Sequence, residues 1–185
     1  EPHENLKDFA LDLGKPESIA SCVSAMTNFG KRIDILVNNA GILADEEETQ
    51  VVVEKLRKTL EVNLFGTIDF TQRLLPLLND GAHIVNISST AGSLELVGKV
   101  SHFMGHYPAY KISKAALNMY TRTLALELQD RGITVSSVHP GWVKSDIGGQ
   151  EADLTPKQAA KDIYDLAVSR PESGGFWFAG KRLPW

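Results

Sequence analysis

The chain has 185 residues, of which 43% are hydrophobic and 23% are charged, and its formal net charge at pH 7 is −4. This length suits a single domain with a sizeable core. The lack of a basic surplus argues against a nucleic-acid or anionic-membrane partner, and no apolar run approaches the ~18 residues of a membrane span. Cys22 is the only cysteine, which favours a reducing compartment. We expect a cytoplasmic protein, although the sequence starts at Glu1 rather than Met and its true N-terminus is not seen.

The first third of the sequence alternates between short apolar runs and a helical pattern. Phe9–Leu13 is typical of the end of a short strand. Pro16 then predicts the start of a helix that ends at Gly30, and its buried stripe comprises Ile19, Val23, Met26 and Phe29. Ile33–Val37 is a compact apolar run, of the kind that forms strands covered on both faces.

The middle of the sequence predicts two more helices, a strand and a loop. We expect one long helix over Glu46–Val62 and another over Gly66–Leu78. His83–Ile87 is the next apolar run and predicts a strand. Thr90–Pro108 contains several glycines and predicts a long irregular segment.

The remaining elements complete an alternation of strands and helices. Ala109–Gln129 is a strong helical pattern, and Ile133–Val138 predicts a strand. Thr155 followed by Pro156 is typical of a helix start, and Gly175–Ala179 predicts the last strand. Strands that alternate with helices imply right-handed crossovers, so we expect a doubly wound parallel sheet with helices on both faces, in one domain over residues 1–185.

The pair Tyr110 and Lys114 is the sharpest chemical feature of the sequence. In a helix these residues lie one turn apart on the same face. A phenol titrates near ~10, and a neighbouring ammonium group favours the phenolate and lowers that pKa. Such a tyrosine can exchange a proton with a carbonyl or alcohol oxygen. Taken alone, however, the spacing also fits a half-buried tyrosine beside a solvated lysine.

Other polar or small residues follow predicted strands at the same sheet edge. Ser88 and Ser89 follow one strand, where a hydroxyl can hydrogen-bond a substrate carbonyl or simply cap a loop. Asn38–Gly41 follows another strand; its small residues allow close backbone approach to a ligand, and its amides can tie adjacent strands together. Asn63 lies near the end of a predicted helix, where it also fits a simple cap, and Pro140–Gly141 follows a later strand.

The order of these features resembles that of the classical short-chain dehydrogenases/reductases along essentially the whole chain. The matching segments are DILVNNAG, LEVNLFGT, IVNISSTAG, YKISKAAL and HPGWVKSD, with LDL near the start. The resemblance implies a Rossmann-like fold, binding of NAD(H) or NADP(H), and interconversion of carbonyls and alcohols.

The resemblance also implies roles for individual residues. Tyr110 would be the acid–base residue, and Lys114 would lower its pKa and hold the nicotinamide ribose. Asn63 would complete a water relay to Lys114. Ser89 would position the substrate oxygen, and it is preferred over Ser88 because it stands three residues before Gly92, where the family's catalytic serine lies.

Further residues would contact the cofactor. Asp12 and Leu13 would meet the adenine. The residues that would line the adenosine ribose side are Asn39, Ala40 and Gly41. The residues that would hold the nicotinamide end are Pro140, Gly141, Val143, Lys144 and Ser145.

Three segments narrow the resemblance to one branch of the family. HPGWVKSDIGG and LEVNLFGT are similar to the carbonyl reductases, and the ending GKRLPW is similar to the sniffer or C-factor-like proteins. This branch implies an NADPH-dependent carbonyl reductase, with NAD as an alternative cofactor and a steroid, a retinoid or a small aldehyde as substrate. Extra residues around Gly98–His106 would lie over the substrate pocket.

A metal site is a weaker hypothesis. His102 and His106 have i,i+4 spacing, but Gly105 and Pro108 disfavour a helix there and no third ligand is evident, whereas zinc sites usually need three or four protein ligands. We therefore expect no metal. Trp142 is expected to pack in the pocket wall.

The sequence departs from the family pattern at its N-terminal end. No G-x-G-x-x-G or close variant is present, so we expect the domain to lack the first two strands and the glycine-rich turn that seats the pyrophosphate. Phe9–Leu13 would then have no strand to pair with, and Ile33–Val37 would be an exposed edge. We expect a fragment of a longer reductase. The alternative is a truncated, inactive chain that acts as a binding or dimerisation module through the helices over Glu46–Leu78 and Ala109–Gln129, so the protein is predicted to be a homodimer or a monomer.

Overall fold

A parallel sheet forms the centre of the computed structural model, which describes residues 5–99 and 106–185. Within these residues the strand order is β1-β2-β3-β4-β5, parallel throughout except that β5 is antiparallel to β4. The strands are β1 (Ile33–Asn38), β2 (Leu78–Ile87), β3 (Thr134–Val138), β4 (Gly175–Phe178) and β5 (Lys181–Arg182). The predicted parallel α/β class is confirmed.

The helices cover both faces of this sheet. They are α1 (Pro16–Phe29), α2 (Val53–Leu60), α3 (Thr67–Leu74), α4 (Pro108–Glu127) and α5 (Pro156–Ser169). Short 3-10 turns occupy Leu75–Leu77, Thr90–Gly92 and Gln129–Arg131, and a π-helical turn occupies Glu61–Gly66. Helix α1 starts at Pro16 and ends at Gly30, and Thr155 begins α5 with a capping box, as the sequence predicts.

Two hydrophobic clusters hold the helices to the sheet. On one face, Leu36, Ile84 and Val135 of the sheet lie in a cluster with Ile19 of α1 and Leu124 of α4. On the other face, a smaller cluster of strand and α5 residues comprises Val85, Ile87, Val138, Leu166 and Ala167. Because β1, β2 and β3 are parallel, their carboxyl ends meet at the edge of the sheet that these clusters support.

Two of the predicted helices have wrong boundaries. The expected helices over Glu46–Val62 and Gly66–Leu78 are instead one helical path from Val53 to Leu77, in which the π-helical turn joins α2 to α3 and a 3-10 turn follows α3. Gly66 lies inside this path. A glycine is required at this position because a Cβ atom there would come within 2.0 Å of the Leu13 carbonyl oxygen. The glycine thus permits a close contact, and it does not end the helix.

The expected strand at Phe9–Leu13 is also absent, since these residues have no strand assignment. Leu13 and Phe9 nevertheless contribute to the core cluster, and the Phe9 ring meets Phe29 edge-on at 5.9 Å. On the neighbouring edge of the sheet, Ile35 and Val37 of β1 are each 41% exposed. Within the residues described, β1 pairs only with β2, so the predicted exposed apolar edge is observed.

The described residues can also be searched for membrane-spanning helices and for groups of metal-binding side chains. None of their helices combines the length and the apolar character that crossing a bilayer requires. No group of three or more histidine, cysteine or acidic side chains suited to a metal ion occurs among them. His106 contacts Tyr107, whereas His102, its predicted partner in the metal hypothesis, lies outside the described residues.

Candidate active site

A cleft of about 580 Å³ opens at the carboxyl edge of the sheet. The segments that follow β1, β2 and β3 meet there, as expected for a ligand site of a parallel sheet. Most of the predicted site residues line the cleft: Asn39, Ala40, Gly41, Ser89, Tyr110, Lys114, Pro140, Gly141, Val143 and Ser145. Asp12, Leu13, Asn63 and Lys144 do not.

Tyr110 and Lys114 lie in the first half of α4 and are almost completely buried, with 7% and 4% of their surface exposed. The Lys114 ammonium donates to the Ile87 carbonyl oxygen at 2.8 Å and lies 5.5 Å from the centre of the Tyr110 ring. The Ser89 hydroxyl hydrogen-bonds the Tyr110 phenol. The predicted acid–base group, its neighbouring cation and the predicted substrate-positioning hydroxyl therefore share one cleft wall.

The electrostatics of this pair differ from the sequence-based expectation. Burial raises the pKa of Tyr110 to about 12, and the Ser89 hydrogen bond offsets this rise only in part. Burial also lowers the pKa of Lys114 to about 8. The sequence predicted a lowered pKa for Tyr110, whereas its net pKa in this structure is raised, because burial disfavours the charged phenolate. A lowering effect of Lys114 on this phenol stays a prediction. A phenol with this pKa stays protonated at neutral pH.

Asn63 lies in the π-helical turn, and it is 1% exposed. Its Oδ1 accepts from the Ile42 backbone amide at 2.7 Å, and its Nδ2 donates to the Ile42 carbonyl at 2.9 Å and to the Ser113 hydroxyl at 3.1 Å. The side chain therefore fixes the segment after Gly41 against α4. The expected place of Asn63 near the end of a helix is wrong, and its role in a water relay to Lys114 stays a prediction.

The two adjacent serines have different surroundings. The Ser88 hydroxyl donates to Asn118 Oδ1 at 2.6 Å and lies 3.5 Å from the Lys114 carbonyl oxygen, so it ties the end of β2 to α4. The Ser89 hydroxyl accepts from the Ala91 amide at 3.1 Å and meets Tyr110. Of the two serines, Ser89 is the one whose hydroxyl meets Tyr110, and its role in positioning a substrate stays a prediction.

A chain of buried polar side chains crosses the sheet below the cleft. Asn38 Nδ2 donates to Asn86 Oδ1 at 2.8 Å, and Asn86 Nδ2 donates to the Thr121 hydroxyl at 2.9 Å. The Thr121 hydroxyl is 2.8 Å from that of Ser137. The sequence indicated that amides of the NNAG segment can tie strands together, and Asn38 does so. The extension to Thr121 and Ser137 was missed, because a polar residue on an apolar helix face gives no local signal of its partner.

The far wall of the cleft comes from the segment after β3 and from α5. Gly141 has φ 85°, and Trp142 lines the cleft while its indole donates to the Gly148 carbonyl at 2.7 Å. This wall also contains apolar residues that the sequence did not predict as site residues: Ile147, Pro156, Ala159, Ala160 and Ile163. The Lys144 backbone amide binds the Leu154 carbonyl at 2.9 Å, and its side chain is exposed outside the cleft lining.

Asp12 and Leu13 lie away from this cleft. The Asp12 carboxylate accepts from the Gly14 amide and pairs with the exposed Lys15 at 2.9 Å, and these contacts hold its pKa below the ordinary value. Leu13 is buried in the core. Their contact with an adenine ring stays a prediction.

The family model for short chain dehydrogenases matches residues 2–155. The chain belongs to the short-chain dehydrogenase family. This membership agrees with the motifs found in the sequence, and the family is one of oxidoreductases. The cleft lies where these motifs come together in the structure.

Known proteins of this family share much of the chain. The C-signal protein of Myxococcus xanthus is 31% identical over 83% of this chain and 93% of its own length. Carbonyl reductase [NADPH] 1 of Mus musculus is 29% identical over 89% of this chain and 73% of its own length.

Solved structures give the same result. The NADPH-bound carbonyl reductase from chicken fatty liver superposes with a TM-score of 0.90 and 30% identity, over 99% of this chain and 79% of the chicken chain. The carbonyl reductase Sniffer of D. melanogaster has a TM-score of 0.83 and 30% identity, over 95% of this chain and 76% of its own.

Proposed function

We propose that the protein reduces a carbonyl substrate to an alcohol with NADPH, and that Tyr110 donates the proton. The observation that carries this proposal is the shared position of Tyr110, Ser89 and Lys114 on one wall of a cleft at the carboxyl edge of the sheet. The names of the mouse and chicken reductases support a carbonyl as substrate and NADPH as reductant.

The cleft fits the nicotinamide end of such a cofactor. At Gly41, the absence of a side chain leaves room beside Lys114, since a Cβ atom would lie 3.7 Å from Nζ and 3.4 Å from Asn63 Oδ1. Lys114 and the backbone of Asn39–Gly41 would hold the ribose side, and Pro140, Gly141, Val143 and Ser145 would hold the nicotinamide side. When bound, NADPH supplies a hydride to the carbonyl carbon.

The side chains of the cleft then have distinct tasks. The protonated Tyr110 phenol lies where it can donate to a carbonyl oxygen, and the Ser89 hydroxyl can donate a second hydrogen bond to that oxygen. As negative charge develops on this oxygen, the Tyr110 proton moves to it. The ammonium of Lys114 stabilises the phenolate that remains, since both side chains are almost completely buried.

The lining indicates the kind of carbonyl that the cleft accepts. The cleft lining includes Trp142, Ile147 and Ile163, together with small residues of α5. Among the described lining residues no aspartate, glutamate or arginine occurs. We therefore expect uncharged substrates with an apolar or aromatic body.

NADPH consumption with a panel of aldehydes and ketones tests the proposal. The panel is run with NADPH and NADH up to millimolar concentration, because the sequence offers no glycine-rich turn for the pyrophosphate. Tyr110→Phe should abolish most of the turnover, whereas Tyr164→Phe, at an exposed tyrosine of α5, should retain it. Equal loss in both variants, or no turnover of any carbonyl by the unaltered protein, would overturn the proposal.

A further inference from the structure

The start of α4, the helix that carries Tyr110 and Lys114, lacks a capping bond from its own flanking residue. The N-cap residue, Tyr107, has left-handed backbone angles (φ 63°, ψ 46°) and makes no side-chain capping bond to the helix. Pro108 has no amide hydrogen, so Ala109 presents the first free N–H of the helix. Ala109 is 1% exposed, and its amide therefore needs a protein partner.

Asp45 supplies this partner from a distant segment. Its Oδ2 accepts from the Ala109 amide at 2.6 Å, and the residue is 1% exposed. The carboxylate lies at the positive end of the helix dipole, where a negative charge is favoured. Its second oxygen, Oδ1, has no hydrogen-bond partner in the part of the chain that the structure describes, so the capping bond is the one side-chain hydrogen bond that this buried carboxylate makes there, and the Lys55 ammonium attracts it at longer range.

The segment around Asp45 is tied to both helices of the site. At its start, Ile42 is held by Asn63 of the π-helical turn through both backbone groups. Further along, the Glu48 carbonyl accepts from the Tyr107 amide at 3.2 Å. Residues 42–48 therefore form a brace, which runs from the cleft floor to the first turn of α4.

We propose that Asp45 is a positioning residue, which fixes the first turn of α4 and thereby the place of the Tyr110 hydroxyl relative to Ser89. Tyr110 is the residue directly after Ala109, and a shift of the helix start moves its side chain relative to the end of β2. This inference rests on the proposed reductase function for its effect on turnover. Its effect on the helix start is independent of that function.

Two variants at Asp45 and one control test the inference. Asp45→Ala removes the cap, whereas Asp45→Asn keeps a carbonyl oxygen that can accept from Ala109. Glu46→Gln alters the neighbouring carboxylate, which is exposed, and should behave as the unaltered protein. Amide hydrogen exchange of the peptide spanning residues 107–113 reports on the helix start without any cofactor.

The expected result has a kinetic and a structural part. Asp45→Ala should speed exchange in residues 107–113 but not in β2, and should lower kcat by roughly 10-fold to 100-fold, since small misplacements of a reacting group are costly. The KM for NADPH should change less than about 2-fold, because Asn63 still holds Ile42, which directly follows Asn39–Gly41. Asp45→Asn should recover most of kcat.

Three results would overturn the inference. One is faster exchange at the helix start with kcat unchanged, which would make Asp45 structural only. Another is unchanged hydrogen exchange of residues 107–113 in Asp45→Ala, which would show that Asp45 does not stabilise the start of α4. The third is an equal fall in kcat for Asp45→Asn and Asp45→Ala. Absence of reductase activity in the unaltered protein would overturn the proposed function and the kinetic part together, while the exchange result would still decide the cap.

Discussion

Replacement of Lys114 by methionine should remove a specific part of the pH dependence of stability. The Lys114 ammonium is buried, and burial lowers its pKa from the ordinary 10.5 to about 8. In the unfolded chain the lysine keeps its proton up to about pH 10.5, whereas in the folded chain it loses that proton above about pH 8. Between these values the unfolded state binds more protons, so the free energy of unfolding rises with pH.

The magnitude follows from the difference between the two pKa values. At about 1.36 kcal/mol for each pKa unit, a fall from 10.5 to about 8 corresponds to a total of ~3.4 kcal/mol. About 2.5 kcal/mol of this total is recovered between pH 7 and pH 10, when both protonation equilibria are included. Tyr110, whose pKa is raised to about 12, acts in the opposite direction, but chiefly above pH 10.

Urea unfolding of the protein and of Lys114→Met at pH 7 and pH 10 measures this effect. The unfolding free energy of the protein relative to that of Lys114→Met should increase by roughly 2–3 kcal/mol from the lower to the higher pH. The comparison cancels the titration of groups that the two chains share, including the exposed lysines. A relative stability that stays constant within about 0.5 kcal/mol would refute the assignment of Lys114 as a desolvated cation.

Two further substitutions test the packing that holds the site. Gly92→Ala should destabilise the fold by about 1–3 kcal/mol, because its Cβ would lie 2.5 Å from the Lys114 carbonyl carbon and 2.7 Å from the Ala115 amide nitrogen; a midpoint in urea equal to that of the protein would contradict this contact. Asn63→Ala should cost roughly 2–4 kcal/mol, because it leaves both Ile42 backbone groups without their partner, and a loss below about 1 kcal/mol in the same assay would argue against the brace.

The helix boundaries show what local sequence can and cannot predict. Pro16, Gly30 and Thr155 mark helix ends through backbone geometry and capping that depend on a few adjacent residues, and the structure confirms them. Gly66 was misread as a boundary because its role depends on the Leu13 carbonyl. Such a contact joins residues far apart in the chain, and no local pattern encodes it.

The candidate site shows the same division. The sequence brought Tyr110, Lys114 and Ser89 together through the order of motifs at one edge of a parallel sheet, and the structure places all three in one cleft. The direction of the Tyr110 pKa could not be predicted, because it depends on burial by the surrounding segments. Asp45 gave no signal either, since an acidic residue in an irregular segment is ordinary until its partner amide is known.

Deuterium transfer tests the central claim most directly. The protein is incubated with NADPH that carries deuterium at both hydrogens of C4 of the nicotinamide ring, together with an apolar aromatic aldehyde. The alcohol is analysed by mass spectrometry. We expect one deuterium on the carbinol carbon of the product. Tyr110→Phe should form this alcohol at least about 100-fold more slowly, while Tyr164→Phe keeps the rate of the protein. Unlabelled alcohol, or labelled alcohol formed by Tyr110→Phe at an undiminished rate, would contradict the account.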